Sequence, residues 1–352
     1  MVLRPGIEDL KIIGYYLGKI LIGLGLTMLL PIATAVLFKE INPFYDFLIS
    51  FFICVIFGQA LVLLCKTNKD IDWVKSMVIV AVAWLAATVF GAAPFYLSGH
   101  WFSFLDCAFD SMSGFATTGL ALVQDLDHIS RSVNLWRHLI MFIGGQGVVV
   151  VALAFLVKGS AGAFRMYVGE ARDEKVLPNV VESARFIWMV SIVFLVLGTL
   201  ALAFIGRYEG MSWANSFFHG VCVFMAAFDT GGFAPQSQNI LYYHSLPYEI
   251  ATIVIMILGA INFKLHYTLW RQRRKEIAKN IETQTFFMTV ALTFFLVAIG
   301  LNKLGVYPDA LGMFRKGFYH LISGHTGTGY QTVYARQFIH EWGALALVAL
   351  TV

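Results

Sequence analysis

Long apolar runs alternate with short polar stretches along this chain of 352 residues. Seven runs, near 15–38, 44–65, 76–98, 134–157, 184–206, 247–270 and 284–304, match the length of about 20 apolar residues that one helix needs to cross a bilayer core. An eighth begins near His340. Three shorter segments, near 102–114, 213–228 and 312–325, predict half-helices. Each leads into a stretch too rich in Ser, Thr and Gly to span lipid. At membrane depth such backbone survives only when protein encloses it or it lines a water-filled path. The pattern predicts an all-α integral membrane fold.

The polar stretches are copies of one another. Those ending at Gly119, Gly232 and Gly329 align without gaps, with Phe115, Phe228 and His325 four positions earlier and Ser113, Ala226 and Ser323 six earlier. Each copy reads as a half-helix running into a Thr/Gly turn. A single such turn is also an ordinary helix cap, because glycine is common there. Three aligned copies favour a different reading, in which glycines let bare backbone turn its carbonyls toward one axis and replace the water around a cation. The repeat unit is span, half-helix, turn, span. It predicts an N-terminal helix pair over 1–70, a first repeat over 71–180, a second over 181–281 and a third over 282–352. The final apolar run holds about 13 residues up to Val352, short of a full span, so the expectation is a chain that continues beyond it into a fourth repeat.

Composition narrows the class. The chain is 59% hydrophobic and 13% charged, with a mean hydropathy of +0.74, which excludes an ordinary soluble domain. With a cytoplasmic N-terminus, 17 of the 25 Lys and Arg residues fall on the cytoplasmic side and eight on the other. The positive-inside rule then puts the three turns on the outer face of a multi-pass protein of the cytoplasmic membrane. The net charge of +4 needs no nucleic-acid partner. Cys54, Cys65, Cys107 and Cys222 form no metal or disulfide motif, and no cofactor is expected.

The sequence resembles the Trk/Ktr/HKT superfamily of potassium transporters, closest to the bacterial TrkH/KtrB-type membrane subunit. The resemblance rests on Ser113 through Gly119, Gly144-Gly-Gln-Gly147, Gly231-Gly-Phe233, Ile261 through Tyr267, and Ser323 through Gly329. It implies four pore-loop repeats around a pseudo-fourfold axis, three of them present here, with two extra N-terminal helices. It implies potassium uptake through a filter built from Thr117, Thr118 and Gly119, from Thr230, Gly231 and Gly232, and from Gly327, Thr328 and Gly329. A homodimer in the lipid bilayer and a cytosolic nucleotide-binding subunit of the TrkA/KtrA type are implied as partners. In some members a serine replacing the first filter glycine shifts preference toward sodium, so Gly119 argues for potassium. Asp229, His325 and Lys264 depart from the small or neutral residues usual at their positions.

Several residues carry two readings. Asp229 is either a cation-attracting carboxylate beside the filter or a cap on nearby amides. His325 either titrates near the filter or fills space as a neutral hydrogen-bonded ring. Asp106 and Asp110 either concentrate cations at the outer mouth or complement a helix N-terminus. Asp125 and Asp127 are expected in a solvated loop. Lys264 is expected to snorkel to the cytoplasmic surface, with the Arg271 to Lys275 run as a topology anchor. Asn262 and Gln146 are expected to bond neighbouring helices, and Gly144, Gly145 and Gly147 to permit close packing. Two alternatives to potassium uptake stand: a sodium pathway or sodium-potassium symport on the same scaffold, and an intramembrane enzyme, for which Ser323-Gly-His325 is the one suggestive pair.

Overall fold

The computed structural model describes residues 6–67, 72–147, 180–270, 280–304 and 309–333. Among these residues the regular structure is helical. Helices α1 (Ile7–Thr27) and α2 (Leu29–Phe38) run on through Met28 as one apolar stretch, and α3 (Ile41–Leu64) follows a left-handed turn at Lys39. The helix starts at Ile7, ahead of the expected 15, because Glu8 and Asp9 suit the positive end of a helix. α1 packs on α3, burying Ile12, Leu21 and Leu24. Outward, Leu37 is 75% exposed and Leu64 78% exposed, a surface suited to acyl chains and not to water.

The next segment builds the first half-helix. α4 (Trp73–Ser98) starts at an Asp72 cap and ends at Gly99 in the left-handed region. α5 (Phe104–Phe115) opens with a capping box in which Ser103 accepts from the Asp106 amide and the Asp106 carboxylate accepts from the Ser103 amide. α6 (Arg131–Gln146) is almost wholly buried, and its first amides, at Arg131 and Ser132, donate to Glu40 at 2.7 and 3.0 Å. α7 (Val180–Tyr208), α8 (Trp213–Phe228), α9 (Leu246–Ala260), α10 (Phe263–Trp270), α11 (Ile281–Leu304) and α12 (Ala310–His325) complete the series. Ser212 caps α8 and Asp309 caps α12, so all three half-helices start on a side-chain cap at the same amide.

By contacts the chain divides into two compact units, Met1–Ala116 with Leu120–Val190, and Thr117–Gly119 with Ser191–Val352. In the first, α5 packs between α4 and α6; in the second, α9 packs against α8 and α12, and α11 against α12.

Two expected spans differ. The one expected over 134–157 ends as a helix at Gln146, where Gly147 turns to φ 90°; its remainder lies outside the described residues. The one expected over 247–270 is broken, with α9 and α10 meeting at 104°. Asn262 explains the break. Its side-chain oxygen accepts from the Lys264 amide at 3.0 Å, so it starts a new helix in place of bonding a neighbour. His266 Nε2 meets the Leu258 carbonyl freed by the bend at 2.9 Å. Among the described residues four helices are long and apolar enough to cross a membrane, or five with the bent pair as one span. The eighth apolar run and the Arg271 to Lys275 anchor lie outside the described residues.

Two glycines position the half-helices. A Cβ at Gly144 of α6 would overlap the carbonyl of Phe115, the last residue of α5. One at Gly259 of α9 would overlap the carbonyl of Phe228, the last residue of α8. The half-helices α5 and α8 thus end against a bare stretch of the following helix. Gly144→Ala or Gly259→Ala should cost about 1–3 kcal/mol through overpacking, read as a lower melting temperature of the detergent-solubilised protein with a native-like helical signal.

Candidate functional site

The three half-helices end alike. Ala116, Asp229 and Thr326 are the C-cap residues, each three positions before a terminal glycine. Beyond the cap the backbone enters the left-handed region twice, two residues apart. This happens at Thr117 (φ 50°) and Gly119 (78°), at Thr230 (53°) and Gly232 (72°), and at Gly327 (75°) and Gly329 (78°). For a β-branched residue this conformation is a real outlier, yet two threonines hold it at equivalent positions. Surrounding contacts must therefore fix it.

Those contacts begin with the amides. Gly231 and Gly232 both donate to the Ala226 carbonyl at 3.0 and 3.2 Å; Thr328 and Gly329 both donate to the Ser323 carbonyl at 2.9 and 3.3 Å. The acceptor in each case is the residue six before the terminal glycine, one of the positions that define the sequence repeat. In the second and third turns these amides are consumed by the half-helix end.

The structure brings the three turns together within the second unit. The space a Cβ would take on Gly119 is filled by the Gly231 carbonyl oxygen, and the same space on Gly232 by that of Thr328. Both neighbours stand one position before their own terminal glycine, so the turns follow one another in a constant register. The second and third are also laced together. Tyr330 Oη donates to the carbonyls of Val223 and Phe233, each at 3.1 Å. The Gln331 amide donates to Asn239 Oδ1, and the Leu241 amide to the Gln331 carbonyl. Behind the third turn, buried Glu249 receives Arg315 on both oxygens at 2.6 and 2.8 Å, and Lys316 at 3.0 Å. Lys316 also donates to the Thr332 carbonyl. Sequence reading missed this cluster, because nothing along the chain links Glu249 with residues more than sixty positions later.

Asp110 is corrected. It is fully buried, not at a mouth, and its carboxylate accepts from Trp101 Nε1 at 2.8 Å and from the Leu122 amide at 2.6 Å. An apolar half-helix interior admits a carboxylate only with such partners. Asp106 sits in the α5 capping box, the structural one of its two readings. Asp125 is exposed and bonded to His128, which raises the imidazole pKa and lowers that of Asp125. Asp229 is buried at the α8 C-cap, where a helix end favours positive charge. His325 Nδ1 meets the Leu321 carbonyl at 2.8 Å and Nε2 meets Thr293 Oγ1 at 3.4 Å, so its ring is hydrogen-bonded away from Ser323. It lines a cavity of about 190 Å³ with Asn262, Glu282 and Phe286. Lys264 is exposed in the first turn of α10.

The turn geometry ranks substitutions. Among the described residues nothing lies within 4 Å of the Cβ direction of Gly327, and its counterparts are already threonines. Gly327→Thr should therefore cost only the left-handed penalty of about 1–2 kcal/mol. Gly119→Ala and Gly232→Ala add a collision with backbone and should cost more. Thermal unfolding of the three variants checks this order.

With this geometry in hand, comparison with known proteins is informative. A family model described as TrkH, a cation transport protein, matches residues 45–326. An uncharacterized cation transporter of Methanocaldococcus jannaschii is 29% identical over 327 residues, covering 93% of this chain and 64% of that protein. The Trk system potassium uptake protein TrkH of Halomonas elongata is 26% identical over 329 residues, covering 92% and 66%. TrkG of Escherichia coli is 28% identical over 314 residues, covering 87% and 63%. The chain thus spans just under two thirds of the length of these relatives. The crystal structure of the potassium transporter TrkH from Vibrio parahaemolyticus superposes with a TM-score of 0.81 at 22% identity, covering 97% of this chain and 69% of that one, a likeness of fold. The multi-pass helical fold, the three turns in register and the match over residues 45–326 lead to one assignment: the chain belongs to the TrkH family of cation transport proteins.

Proposed function

We propose that this chain supplies three walls of a potassium-selective path across the cytoplasmic membrane, with the N-terminus inside. The observation that carries the proposal is the paired left-handed geometry of the three turns, repeated with a constant contact register. Thr117, Thr118 and Gly119, Thr230, Gly231 and Gly232, and Gly327, Thr328 and Gly329 are the filter residues, with backbone carbonyls replacing the hydration shell of the ion. The C-terminal ends of α5, α8 and α12 carry partial negative charge that adds to the field on a cation. Asp229, buried at the C-cap of α8 just before the second turn, belongs to the proposal as a cation-attracting carboxylate.

Relatives named as Trk system potassium uptake proteins support potassium as the cargo, and Gly119 favours it over a sodium pathway or sodium-potassium symport. The enzyme alternative loses its one suggestive pair, since His325 bonds Leu321 and Thr293 and not Ser323. The repeat pattern supports a division into a helix pair, 1–70, and repeats over 71–180, 181–281 and 282–352. A homodimer and a cytosolic nucleotide-binding subunit belong to the proposal through the family likeness.

The test is tracer uptake by the whole protein in vesicles held at an inside-negative potential. Rubidium uptake should exceed sodium uptake at equal concentrations. Gly119→Ser, which crowds the Gly231 carbonyl, should lower that ratio by roughly tenfold, the factor that about 1.4 kcal/mol of ion-binding preference represents. Equal uptake of both ions by the parent protein, or none of either, would remove the potassium reading.

A further inference from the structure

We propose that Asp110 and His320 are positioning residues of the ion path, each pinning the strand that leaves its turn, and that at the equivalent place of the second turn a proline removes the need for such an acceptor. The inference rests on the filter reading above. It starts from counting along each copy. Asp110 stands nine residues before Gly119 and its carboxylate accepts from the amide of Leu122, three residues after that glycine, at 2.6 Å. His320 stands nine residues before Gly329 and its Nε2 accepts from the amide of Thr332, three residues after, at 3.3 Å. The two side chains differ in chemistry and occupy the same place for the same amide.

The second copy explains why this is a rule and not a coincidence. Nine residues before Gly232 stands Val223, and three after stands Pro235. Proline has no amide hydrogen to satisfy, so an apolar partner is sufficient there. An acceptor on the half-helix accompanies an N–H on the exit strand, and valine accompanies proline.

The local chemistry fixes the state of each anchor. His320 Nδ1 lies 2.7 Å from the Lys316 carbonyl and so carries the hydrogen, which leaves Nε2 as the acceptor for Thr332. Lys316 holds the Thr332 carbonyl as well, so both backbone groups of that residue are engaged from α12. Asp110 divides its two oxygens between Leu122 and Trp101. Both anchors are buried, where a donor left unpaired is costly. The exit strand is then set at two points, the half-helix end before the glycine and the anchor after it, and the carbonyls between them keep their spacing. Spacing is what separates a larger dehydrated ion from a smaller one, so the anchors act on selectivity through the turns and not by touching the ion.

The experiment measures the rubidium-to-sodium uptake ratio of the whole protein in vesicles, with membrane insertion quantified for each variant. His320→Val should lower the ratio by roughly tenfold, as expected for an orphaned buried amide. The double variant His320→Val with Thr332→Pro copies the second turn and should restore the ratio to within about twofold of the parent. His320→Gln, whose side-chain oxygen reaches the place of Nε2, should keep the ratio, while the shorter His320→Asn should lose it; these two decide the matter if the valine variant does not insert. An unchanged ratio in inserted His320→Val or His320→Asn, or no recovery in an inserted double variant, overturns the inference. Absence of any cation uptake by the parent protein would instead overturn the filter reading on which it rests.

Discussion

Backbone that leaves a helix at membrane depth must find partners for every amide it frees, because lipid offers none. The rest of the structure follows from how the three turns meet that demand. The second and third turns fold their amides back onto the ends of their own half-helices, at Ala226 and Ser323. Left-handed residues two apart are the backbone conformation of all three turns, and its cost is visible in Thr117 and Thr230. A solvent-exposed loop would satisfy the same groups with water and would show no such regularity.

The surrounding helices serve this arrangement. Gly144 and Gly259 let the following helix close on the end of a half-helix, and caps at Ser103, Ser212 and Asp309 fix where each half-helix begins. The half-helices differ in length, 12 residues in α5 and 16 in α8 and α12, yet each ends at the same position before its terminal glycine. The Glu249, Arg315 and Lys316 cluster performs the same service for the third copy by charge. Such a buried group is worth more for fixing geometry than for net stability, since desolvation offsets much of its attraction.

The sequence disclosed the half-helices almost to the residue, because polar, glycine-rich ends against apolar runs leave little latitude. Repetition also located the three turns in which the left-handed residues fall. The sequence did not disclose the break at Asn262. A polar residue inside an apolar run reads equally as a helix–helix bond or as the cap of a new helix, and the choice depends on His266 reaching Leu258 across the bend. Asp110 was misplaced for a related reason. A carboxylate near a predicted helix start looks exposed until Trp101 and Leu122 are seen to enclose it. In both cases the deciding partner lies close in space, and polarity along the chain does not point to it.

Tyr330 holds one further implication. Its phenol has a single proton and faces two carbonyls, of Val223 and Phe233, at the same 3.1 Å. It can donate fully to only one at a time, or partly to both. The joint between the second and third turns is therefore compliant: a small rotation of one hydroxyl can follow the displacement of either side without breaking the tie. Either side of this joint can shift slightly and leave the lattice of bonds behind it intact.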